Sequence, residues 1–542
     1  MKMPIRVPQI ILHNGIIATQ STTYPHSQAV AVGNGKIQAL GQDKDVLNLA
    51  GPDTERINLD GRLVTPGFID AHIHFYEWAL NRQGIKLDDL TSLEELLTRV
   101  QKAADSRPPG QWIIGQGWNE TDWTEQRIPT RETLDRVAPD HPVLLWRCDL
   151  HLAVANSATL GLAGIHADTP DPPEGRIERN HTGEPNGILR ELAINLVRQA
   201  IVPPRTDQIM QAFEDATKAL HRWGITGIQD VRLMEDKDGA GSFQTFQRLD
   251  HEGRLDLRCW VSLPGHELDH IIGLGLQTGF GNEKLRVGHV KFFSDGGMGA
   301  RTAWLIEPYL DADRGMPLID MEVLSHDIDR ADKAGLSVMV HAVGDRANRE
   351  LINIFEALEL RRISSGLPSP AIAHRIEHVQ MLQPEDAERL SKLNVALCVT
   401  PANMLLDINL IDMALGEKGK WTYPLRQLFD TGAPVMFSSD CPVCIPDPLL
   451  GIHAAVTRQR TDGTPKGGWY PDSRVTVAEA LKAYTYTAAT VHNAHDIGSI
   501  EPGKRADMVV LNRNILEILP SQMPEVQVDM TLFDGRIVHR QF

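Results

Sequence analysis

The sequence has few cysteines and no surplus of basic residues, and each shortage argues against a class of protein. Its five cysteines are an odd number scattered through 542 residues, which is not the pattern of a disulfide framework. We expect them to be reduced thiols. The 54 lysines and arginines stand against 71 aspartates and glutamates, so that the formal net charge is −17. This balance argues against nucleic acid or an anionic membrane as a partner, because no basic excess is available to neutralise phosphate groups.

Long apolar runs are also absent. No segment reaches the roughly 20 apolar residues that a membrane-spanning helix requires. The N-terminal segment, MKMPIRVPQIILHNG, contains no apolar run of the length found in a signal peptide. We therefore expect a soluble, cytoplasmic protein. Hydrophobic residues make up 42% of the chain, which is enough to bury a large core.

Both ends of the chain consist of short β-branched runs separated by turn signals such as Asn14-Gly15 and Asp534-Gly535. Near the N-terminus the runs are residues 9–12, 16–18 and 29–32, and near the C-terminus they are residues 506–511, 531–533 and 537–538. Because the two ends have the same character, we predict that residues 1–62 and 498–542 together form a small β-sandwich domain.

In the middle of the chain, short apolar runs alternate with helical patterns, which is typical of parallel strands joined by crossover helices. The candidate strands are residues 63–69, 225–229, 257–263, 287–293, 337–340, 372–377, 395–399 and 435–438. Eight such strands predict an α/β protein with a TIM-like (β/α)8 barrel, which we assign to residues 63–497.

The gap between the first and second candidate strands exceeds 150 residues, which is too long for one crossover helix. Two further strand-like runs lie inside it, at residues 112–114 and 143–146. We predict an inserted subdomain at about residues 80–220 that covers the mouth of the barrel.

Several candidate strands end in, or contain, a residue type that binds metal ions. The six residues are His72, His74, Lys291, His341, His378 and Asp440. The active sites of such barrels lie at the carboxyl ends of the strands, so that residues far apart in the sequence converge there. Side chains two positions apart on a strand point the same way, which lets His72 and His74 bind one cation. A lone histidine is more often a surface or hydrogen-bonded residue, so the joint placement carries the prediction.

His374 is an alternative to His378 as the ligand from the sixth strand. The two histidines are four residues apart, so they share a side of a helix and also of a strand, and periodicity does not choose between them. We favour His378 because it lies at the carboxyl end of the run.

Six segments, taken together, resemble the amidohydrolase superfamily, and within it the family 3 branch that includes N-substituted formamide deformylases. They are residues 66–74 (PGFIDAHIH), 290–296 (VKFFSDG), 341–345 (HAVGD), 375–380 (RIEHVQ), 438–440 (SSD) and 498–507 (GSIEPGKRAD). The first and last are the most distinctive, and the order and spacing of all six are specific in combination. The resemblance spans nearly the whole chain.

The resemblance implies a metal-dependent hydrolase with two divalent metal ions, for which zinc is expected. One ion would be held by His72, His74 and Asp440, the other by His341 and His378, and both by Lys291 after its carboxylation by carbon dioxide. Chemistry agrees with the modification, because an ammonium group has no lone pair whereas a carbamate is anionic and offers two oxygens. Unmodified, Lys291 would be a buried lysine paired with a carboxylate such as Asp295.

The resemblance also implies hydrolysis of an amide-type carbon–nitrogen bond, linear or cyclic, in a small-molecule substrate such as an N-substituted formamide. A hydroxide that bridges the ions would attack the carbonyl carbon, and Asp440 would carry the proton to the leaving nitrogen. Lys291 and Asp440 are thus the expected catalytic residues, and a homodimer is expected because relatives are often dimers. Alternatives are deamination of a heterocycle, hydrolysis of an ester or lactone, and a non-catalytic regulatory protein, which predicts missing ligands.

Four further residues are candidate substrate contacts by resemblance: Trp118, His151, Asp295 and Arg301. Trp118 forms a wall of the pocket or anchors the core of the insert. His151 polarises the substrate carbonyl or makes a structural hydrogen bond. Arg301 binds substrate charge or pairs with a loop carboxylate.

Cys441 and Cys444 form a CxxC pair directly after Asp440. A single pair lacks the second half of a four-ligand zinc site, so we expect both thiols to be structural.

Overall fold

A computed structural model describes residues 7–24, 27–82, 84–202, 204–233, 241–366 and 368–542. Its central element is an eight-stranded sheet in which every strand is parallel to its neighbours. In chain order these strands, named barrel strands 1 to 8, are Phe68–Ile73, Ile225–Asp230, Arg258–Pro264, Leu285–Phe293, Val338–Ala342, His374–His378, Val395–Val399 and Val435–Phe437. The amide of Asp440, beyond strand 8, donates to the carbonyl oxygen of His72 in strand 1 at 2.9 Å. A nearly closed barrel of eight parallel strands is therefore present, as predicted.

The first predicted strand, residues 63–69, is wrong in its extent. Leu63–Pro66 belongs to a different sheet, where it pairs with Met508–Leu511, and barrel strand 1 begins only at Phe68. The break is at Gly67, where a β-carbon would come within 2.1 Å of the Thr226 hydroxyl oxygen. Because residues 63–66 and 68–73 are all buried, no polar residue marks the boundary between the two strands.

Helices surround the barrel and connect its strands. They are Phe75–Asn81, Thr206–Arg222, Gly241–His251, Leu268–Gly273, Met321–Lys333, Asp345–Ser365, Pro384–Leu390, Pro401–Leu415, Leu425–Asp430, Pro448–Thr457, Val477–Lys482 and Ala488–Val491. Short helical turns lie at Glu120–Asp122, Gly265–Glu267, Gly416–Trp421, Pro471–Ser473, Ala483–Thr487 and Pro520–Glu525.

The helix Thr206–Arg222 illustrates why these segments pack on the sheet. Its buried apolar residues recur at helical spacing, among them Ile209, Phe213 and Leu220, so that they form one face. Phe213 meets the ring of Phe75 edge to face, with ring centroids 4.9 Å apart. This contact fixes the start of the chain segment that follows barrel strand 1.

A six-stranded sheet lies in the chain between barrel strands 1 and 2. In spatial order its strands are Gly175–Arg179, Pro185–Glu191, Leu152–Ala155, Val143–Arg147, Ile113–Trp118 and Ile85–Lys86. Four helices accompany it: Leu93–Asp105, Arg131–Asp135, Ser157–Leu162 and Ala193–Arg198. The two runs noted in the sequence, residues 112–114 and 143–146, overlap two of these strands. We name this part of the molecule the inserted sheet.

Two further sheets contain the ends of the chain. One has four strands, in the spatial order Lys36–Gly41, Ala29–Gly33, Ile10–His13 and Glu55–Asn58, and the helix Asp43–Leu47 packs against it through Val46. The other has five, in the order Ile16–Ile17, Leu63–Pro66, Met508–Leu511, Val528–Phe533 and Arg536–Arg540. Apolar side chains of both sheets share one core, among them Leu12, Val64 and Leu532. The domain boundaries at residues 62 and 498 stay a prediction.

A buried ion pair joins the C-terminal segment to the barrel. Arg258 of barrel strand 3 donates from Nε to Asp507 Oδ2 at 2.5 Å and from Nη2 to Asp507 Oδ1 at 2.9 Å.

None of the helices in the described ranges combines the length and the apolar character that a membrane-spanning helix needs.

Candidate metal centre

The six side chains that the sequence singled out as metal ligands line one cavity at the carboxyl ends of the barrel strands. They are His72, His74, Lys291, His341, His378 and Asp440. The cavity, including the part open to solvent, has a volume of about 860 Å³. The barrel thus brings together residues that are up to 368 positions apart in the chain, from His72 to Asp440.

Asp440 lies at the centre of this group. Its Oδ1 is 3.4 Å from His72 Nε2 and 3.2 Å from His74 Nε2, and its Oδ2 is 3.9 Å from His378 Nδ1. Ligand atoms of His72, His74 and Asp440 all lie within 4.8 Å of one another. The His341 and His378 rings adjoin this trio, with their own centroids 4.6 Å apart. One cation can therefore contact the first three residues, and the other two histidines lie beside it.

Three buried polar atoms of this group have no hydrogen-bond partner among the described residues. They are His72 Nε2, Lys291 Nζ and Asp440 Oδ1. Buried polar atoms without a partner are rare, because each loses its hydration without compensation. A divalent cation would satisfy the lone pairs of His72 and Asp440 together. The donor set of imidazole nitrogens and a carboxylate also suits zinc and similar ions, so the residues fit a metal site.

Glu377 fixes the orientation of His72. The two are joined by a hydrogen bond of 2.5 Å between His72 Nδ1 and Glu377 Oε2. Arg375 holds Glu377 by two bonds of 2.8 and 2.9 Å and also donates to the carbonyl oxygen of Ala71. With Nδ1 donating its proton to a carboxylate, the Nε2 lone pair of His72 points into the cavity, which is the usual arrangement of a metal-binding histidine.

Backbone carbonyl groups orient two other histidines in the same way. His74 Nδ1 is 2.8 Å from the carbonyl oxygen of Val231, which leaves Nε2 facing Asp440. His341 Nε2 is 3.3 Å from the carbonyl oxygen of Gly296, which leaves Nδ1 as its available lone pair. Each ring therefore offers one nitrogen to the cavity.

Burial sets the charges of the cluster. It lowers the pKa of His72, His341 and His378 well below the ordinary value, so these imidazoles are neutral and able to bind a cation. It also lowers the pKa of Lys291, to about 8, although Glu377 and Asp440 act in the opposite direction. Burial opposes the ionisation of Asp440, but the neighbouring histidines outweigh it, so the pKa of Asp440 lies below its usual value.

Comparison with known proteins decides the family. A model of the amidohydrolase family matches residues 55–539. The chain belongs to the amidohydrolase family. It is therefore an enzyme, a hydrolase that acts on carbon–nitrogen bonds.

Individual relatives match over nearly the whole amidohydrolase chain. Protein LONG AFTER FAR-RED 3 of Arabidopsis thaliana is 32% identical over 521 residues, which cover 94% of this chain and 88% of that protein. N-substituted formamide deformylase of Arthrobacter pascens is 30% identical over 545 residues, which cover 97% of each chain. Among solved structures, an uncharacterized metal-dependent hydrolase from Pyrococcus furiosus has a TM-score of 0.71 at 30% identity, covering 94% of this chain and 100% of that one.

The two candidate histidines of barrel strand 6 have different surroundings in this amidohydrolase. His378, at the carboxyl end of the strand, lines the cavity. His374, at the other end, accepts from the amide of Val338 at 3.0 Å through Nδ1, and its Nε2 lies 3.1 Å from Arg362 Nη2. Both nitrogens of His374 are therefore engaged outside the cavity.

Of the four candidate substrate contacts, His151 lines the cavity of the amidohydrolase. Its Nδ1 is 2.7 Å from Glu191 Oε2, and its ring centroid is 5.4 Å from that of His341. Burial disfavours the cationic form of His151, but Glu191 outweighs it and raises the pKa of His151 to about 9. At neutral pH, His151 is a cationic hydrogen-bond donor beside the metal-ligand cluster.

Trp118, Asp295 and Arg301 do not line the cavity, and each makes a structural contact instead. Trp118 is buried in the core of the inserted sheet and donates to the carbonyl oxygen of Leu145 at 3.2 Å. Arg301 pairs with Asp311 through a bond of 2.7 Å. Asp295 is fully buried, and its carboxylate accepts bonds of 2.8–3.0 Å from three backbone amides, those of Trp304, Val343 and Gly344.

The cysteine pair after Asp440 packs against the barrel. Cys441 and Cys444 are buried and carry free thiols, as do the other three cysteines, and burial raises the pKa of both. The carbonyl oxygen of Cys441 accepts from the amide of His74 at 2.8 Å. Cys441 thus positions the backbone next to a metal ligand.

Sequence reasoning assigned no role to Glu377, although it lay inside one of the recognised segments. The available signal was a carboxylate on a strand, one residue before His378 and two after a basic residue, Arg375. Alternation along the strand puts residues 375 and 377 on one side, where a buried arginine needs an acidic partner.

Proposed function

We propose that this amidohydrolase cleaves an amide-type carbon–nitrogen bond, linear or cyclic, in a small molecule, with the help of two divalent metal ions, zinc by preference. The observation that carries the proposal is the convergence of four neutral or acceptor-oriented imidazoles and one carboxylate on a single cavity, with buried lone pairs that lack a partner. The 30% identity to N-substituted formamide deformylase makes N-substituted formamides the first substrate class to examine.

In this proposal the ligands divide into two sets. His72, His74 and Asp440 hold one ion, and His341 and His378 hold the other. Lys291, as a carbamate, serves both. The surroundings of Lys291 support this role, since its Nζ is buried without a hydrogen-bond partner among the described residues.

Asp440, His151 and Glu377 have separate tasks in the proposed reaction. When bound, the two ions would lower the pKa of a water molecule toward neutrality and polarise the substrate carbonyl. Asp440, ionised at neutral pH, accepts the proton of the attacking water and returns it to the leaving nitrogen as the carbon–nitrogen bond breaks. His151, held by Glu191, donates a hydrogen bond to the carbonyl oxygen, which gains negative charge in the transition state. Glu377 keeps His72 in the tautomer that a cation requires.

We also propose how the parts of the chain share these tasks. The barrel supplies all proposed metal ligands, whereas a subdomain of about residues 80–220, built on the inserted sheet, contributes Trp146, Leu150, His151 and Glu191 to the cavity and so selects the substrate. Residues 1–62 and 498–542 form a separate β-sandwich domain that contributes no side chain to this cavity among those described.

The proposal is tested with protein loaded with zinc and bicarbonate. We expect two metal ions per chain, release of an amine from at least one compound in a panel of N-formyl, N-acyl and cyclic amides, and loss of this activity in a chelator with recovery on added zinc. Ammonia released from amino-substituted heterocycles by protein with one metal ion would indicate a deaminase. Turnover of esters or lactones alone would indicate an esterase, and a fully loaded protein inert toward all of these would overturn the proposed hydrolysis.

A pair of variants separates the two histidines of barrel strand 6. We expect His378→Ala to lose one of two metal ions and about 100-fold or more in kcat/KM, because a ligand is gone. His374→Ala should keep both ions but lower the free energy of unfolding by about 1–3 kcal/mol, because Arg362 and the Val338 amide lose a buried partner. Metal analysis and denaturant titration of the two variants measure these effects. The assignment of His378 fails if His374→Ala is the variant that loses metal.

A further inference from the structure

The cavity contains a carboxylate that has no task in the proposed hydrolysis. Its acidic lining residues, among those described, are Asp149, Glu191, Asp407 and Asp440. Asp440 is a proposed metal ligand. Both oxygens of Asp149 are occupied, one by Arg147 at 2.8 Å and the other by the amide of His151 at 3.2 Å. Both oxygens of Glu191 are occupied as well, by His151 and by the hydroxyl of Thr302. Asp407 remains.

Asp407 has one engaged oxygen and one unengaged oxygen. It lies on the helix Pro401–Leu415, which follows barrel strand 7, and is 7% exposed. Its Oδ2 accepts a bond of 2.6 Å from the hydroxyl of Tyr423 and one of 2.8 Å from the side-chain amide of Gln380. No described residue donates to Oδ1, and the side chain forms part of the cavity wall. The carboxylate therefore presents one acceptor oxygen to whatever occupies the cavity.

The groups that hold Asp407 are themselves fixed. The amide of Tyr423 donates to the carbonyl oxygen of Gln380 at 2.6 Å, and the carbonyl oxygen of Tyr423 accepts from Arg458 at 2.9 Å. Arg458 is completely buried and also donates to the carbonyl oxygen of Trp469 at 3.0 Å. These contacts hold the carboxylate in one orientation. Little further ordering of the protein is therefore needed when a ligand binds to Oδ1.

The charges around Asp407 favour a positive ligand. The basic residue whose charge acts on Asp407 is Arg147, which is already paired with Glu120 at 2.9 Å and with Asp149 at 2.8 Å. These two carboxylates carry one more unit of charge than Arg147 does, and Asp407 adds a further negative charge. Burial raises the pKa of Asp407 to about 6, so the group is ionised at pH 8. Much of the remaining cavity wall is apolar, including Leu150, Met298, Val343 and Val443.

We propose that Asp407 is a specificity-determining residue that binds a positively charged nitrogen of the substrate, so that the preferred substrates are amides joined through an apolar chain to a basic amine. This inference rests on the proposed function, because it assigns the substrate class of the same cavity. A charged hydrogen bond in a partly desolvated site has a larger effect on binding than a neutral one, and about 10-fold or more in kcat/KM is expected.

The test compares matched pairs of compounds at pH 8. One series consists of mono-N-formylated α,ω-diaminoalkanes of increasing chain length, and the other of N-alkylformamides in which a methyl group replaces the ammonium group. We expect the wild-type enzyme to prefer the charged member of at least one pair about 10-fold or more in kcat/KM. Asp407→Asn should remove this preference, because it lowers kcat/KM for the charged member far more than for the neutral member. Asp412→Asn removes an exposed charge from the same helix but retains the side-chain oxygen that accepts from Trp469 Nε1 at 3.0 Å, and it should keep the preference.

A second measurement does not depend on turnover. Calorimetry with the zinc-loaded protein should show tighter binding of a diaminoalkane than of the corresponding alkylamine, and this difference should disappear in Asp407→Asn. Failure of every amide to react, with the binding difference present, would overturn the proposed hydrolysis but support the role of Asp407. Equal binding of charged and neutral compounds by the wild-type protein, or a preference that persists in Asp407→Asn, would overturn the role of Asp407 whatever reaction the enzyme catalyses.

Discussion

Replacing Lys291 by alanine should leave the protein unable to hold two metal ions, and hydrolysis should fall by about three orders of magnitude or more. The physical reason is that Lys291 is the only candidate ligand that both proposed ion sets share, so its loss weakens both. Alanine removes the buried amine without adding a new polar group, and the surrounding strand, Leu285–Phe293, keeps its pairing on both sides. The measurements are metal content per chain and kcat/KM on the first amide found to react.

Two controls test whether the effect is specific to Lys291. Lys333→Ala removes an exposed lysine from a barrel helix and should change neither metal content nor turnover. A short-chain carboxylic acid added to Lys291→Ala should restore part of the metal binding and activity, because it supplies the missing bridging oxygens. If Lys291→Ala retains two ions and full turnover, the carbamate and the binuclear centre are both wrong.

The convergence of the six proposed metal ligands on one cavity was predictable from the sequence for a geometric reason. In a barrel of parallel strands, the carboxyl ends of all strands meet at one rim. A residue at the end of any strand can therefore be placed at that rim from the sequence alone. In the structure, His72, His341 and His378 are each the last or the last but one residue of a barrel strand. The choice of His378 over His374 rested on the same argument, and the cavity contains His378.

The residues behind this rim were not predictable in the same way. Asp295 and Arg301 lie in the segment that follows barrel strand 4, and they were candidate substrate contacts by resemblance alone. In the structure, Asp295 instead accepts hydrogen bonds from three backbone amides of neighbouring loops. Arg301 pairs with the carboxylate of Asp311. Such partners come from loops whose paths depend on tertiary packing, and no periodicity encodes them.

The boundary of barrel strand 1 shows a second limit. Residues 63–66 and 68–73 are all buried and both segments are extended, so the burial pattern does not separate them. The separation depends on Leu63–Pro66 pairing with Met508–Leu511, more than 440 residues away. Gly67 was the one local signal, because the close approach of Thr226 leaves no room for a side chain there.

Replacing Asp440 by asparagine should lower kcat by about three orders of magnitude while the fold stays intact. Asparagine has nearly the same shape but cannot accept a proton from water, and it is a weaker ligand because it carries no charge. It also suits the backbone. Asp440 has a positive φ of 55°, a conformation that asparagine tolerates better than most residues, so the substitution tests the carboxylate rather than the loop. Metal content, thermal stability and kcat should be measured on the same preparation.

Asp70 provides the matched control for this variant. Its carboxylate accepts from the amide of Ser439 at 3.0 Å and from the Ser439 hydroxyl at 2.5 Å, so it supports the loop that carries Asp440 without lining the cavity. Asp70→Asn retains one acceptor oxygen, and we expect a loss in kcat of about 10-fold or less. A proton-carrying role for Asp440 predicts that the larger loss persists when Asp440→Asn is saturated with zinc. If excess zinc restores full turnover, Asp440 acts as a metal ligand alone, and the proton must be carried by another group.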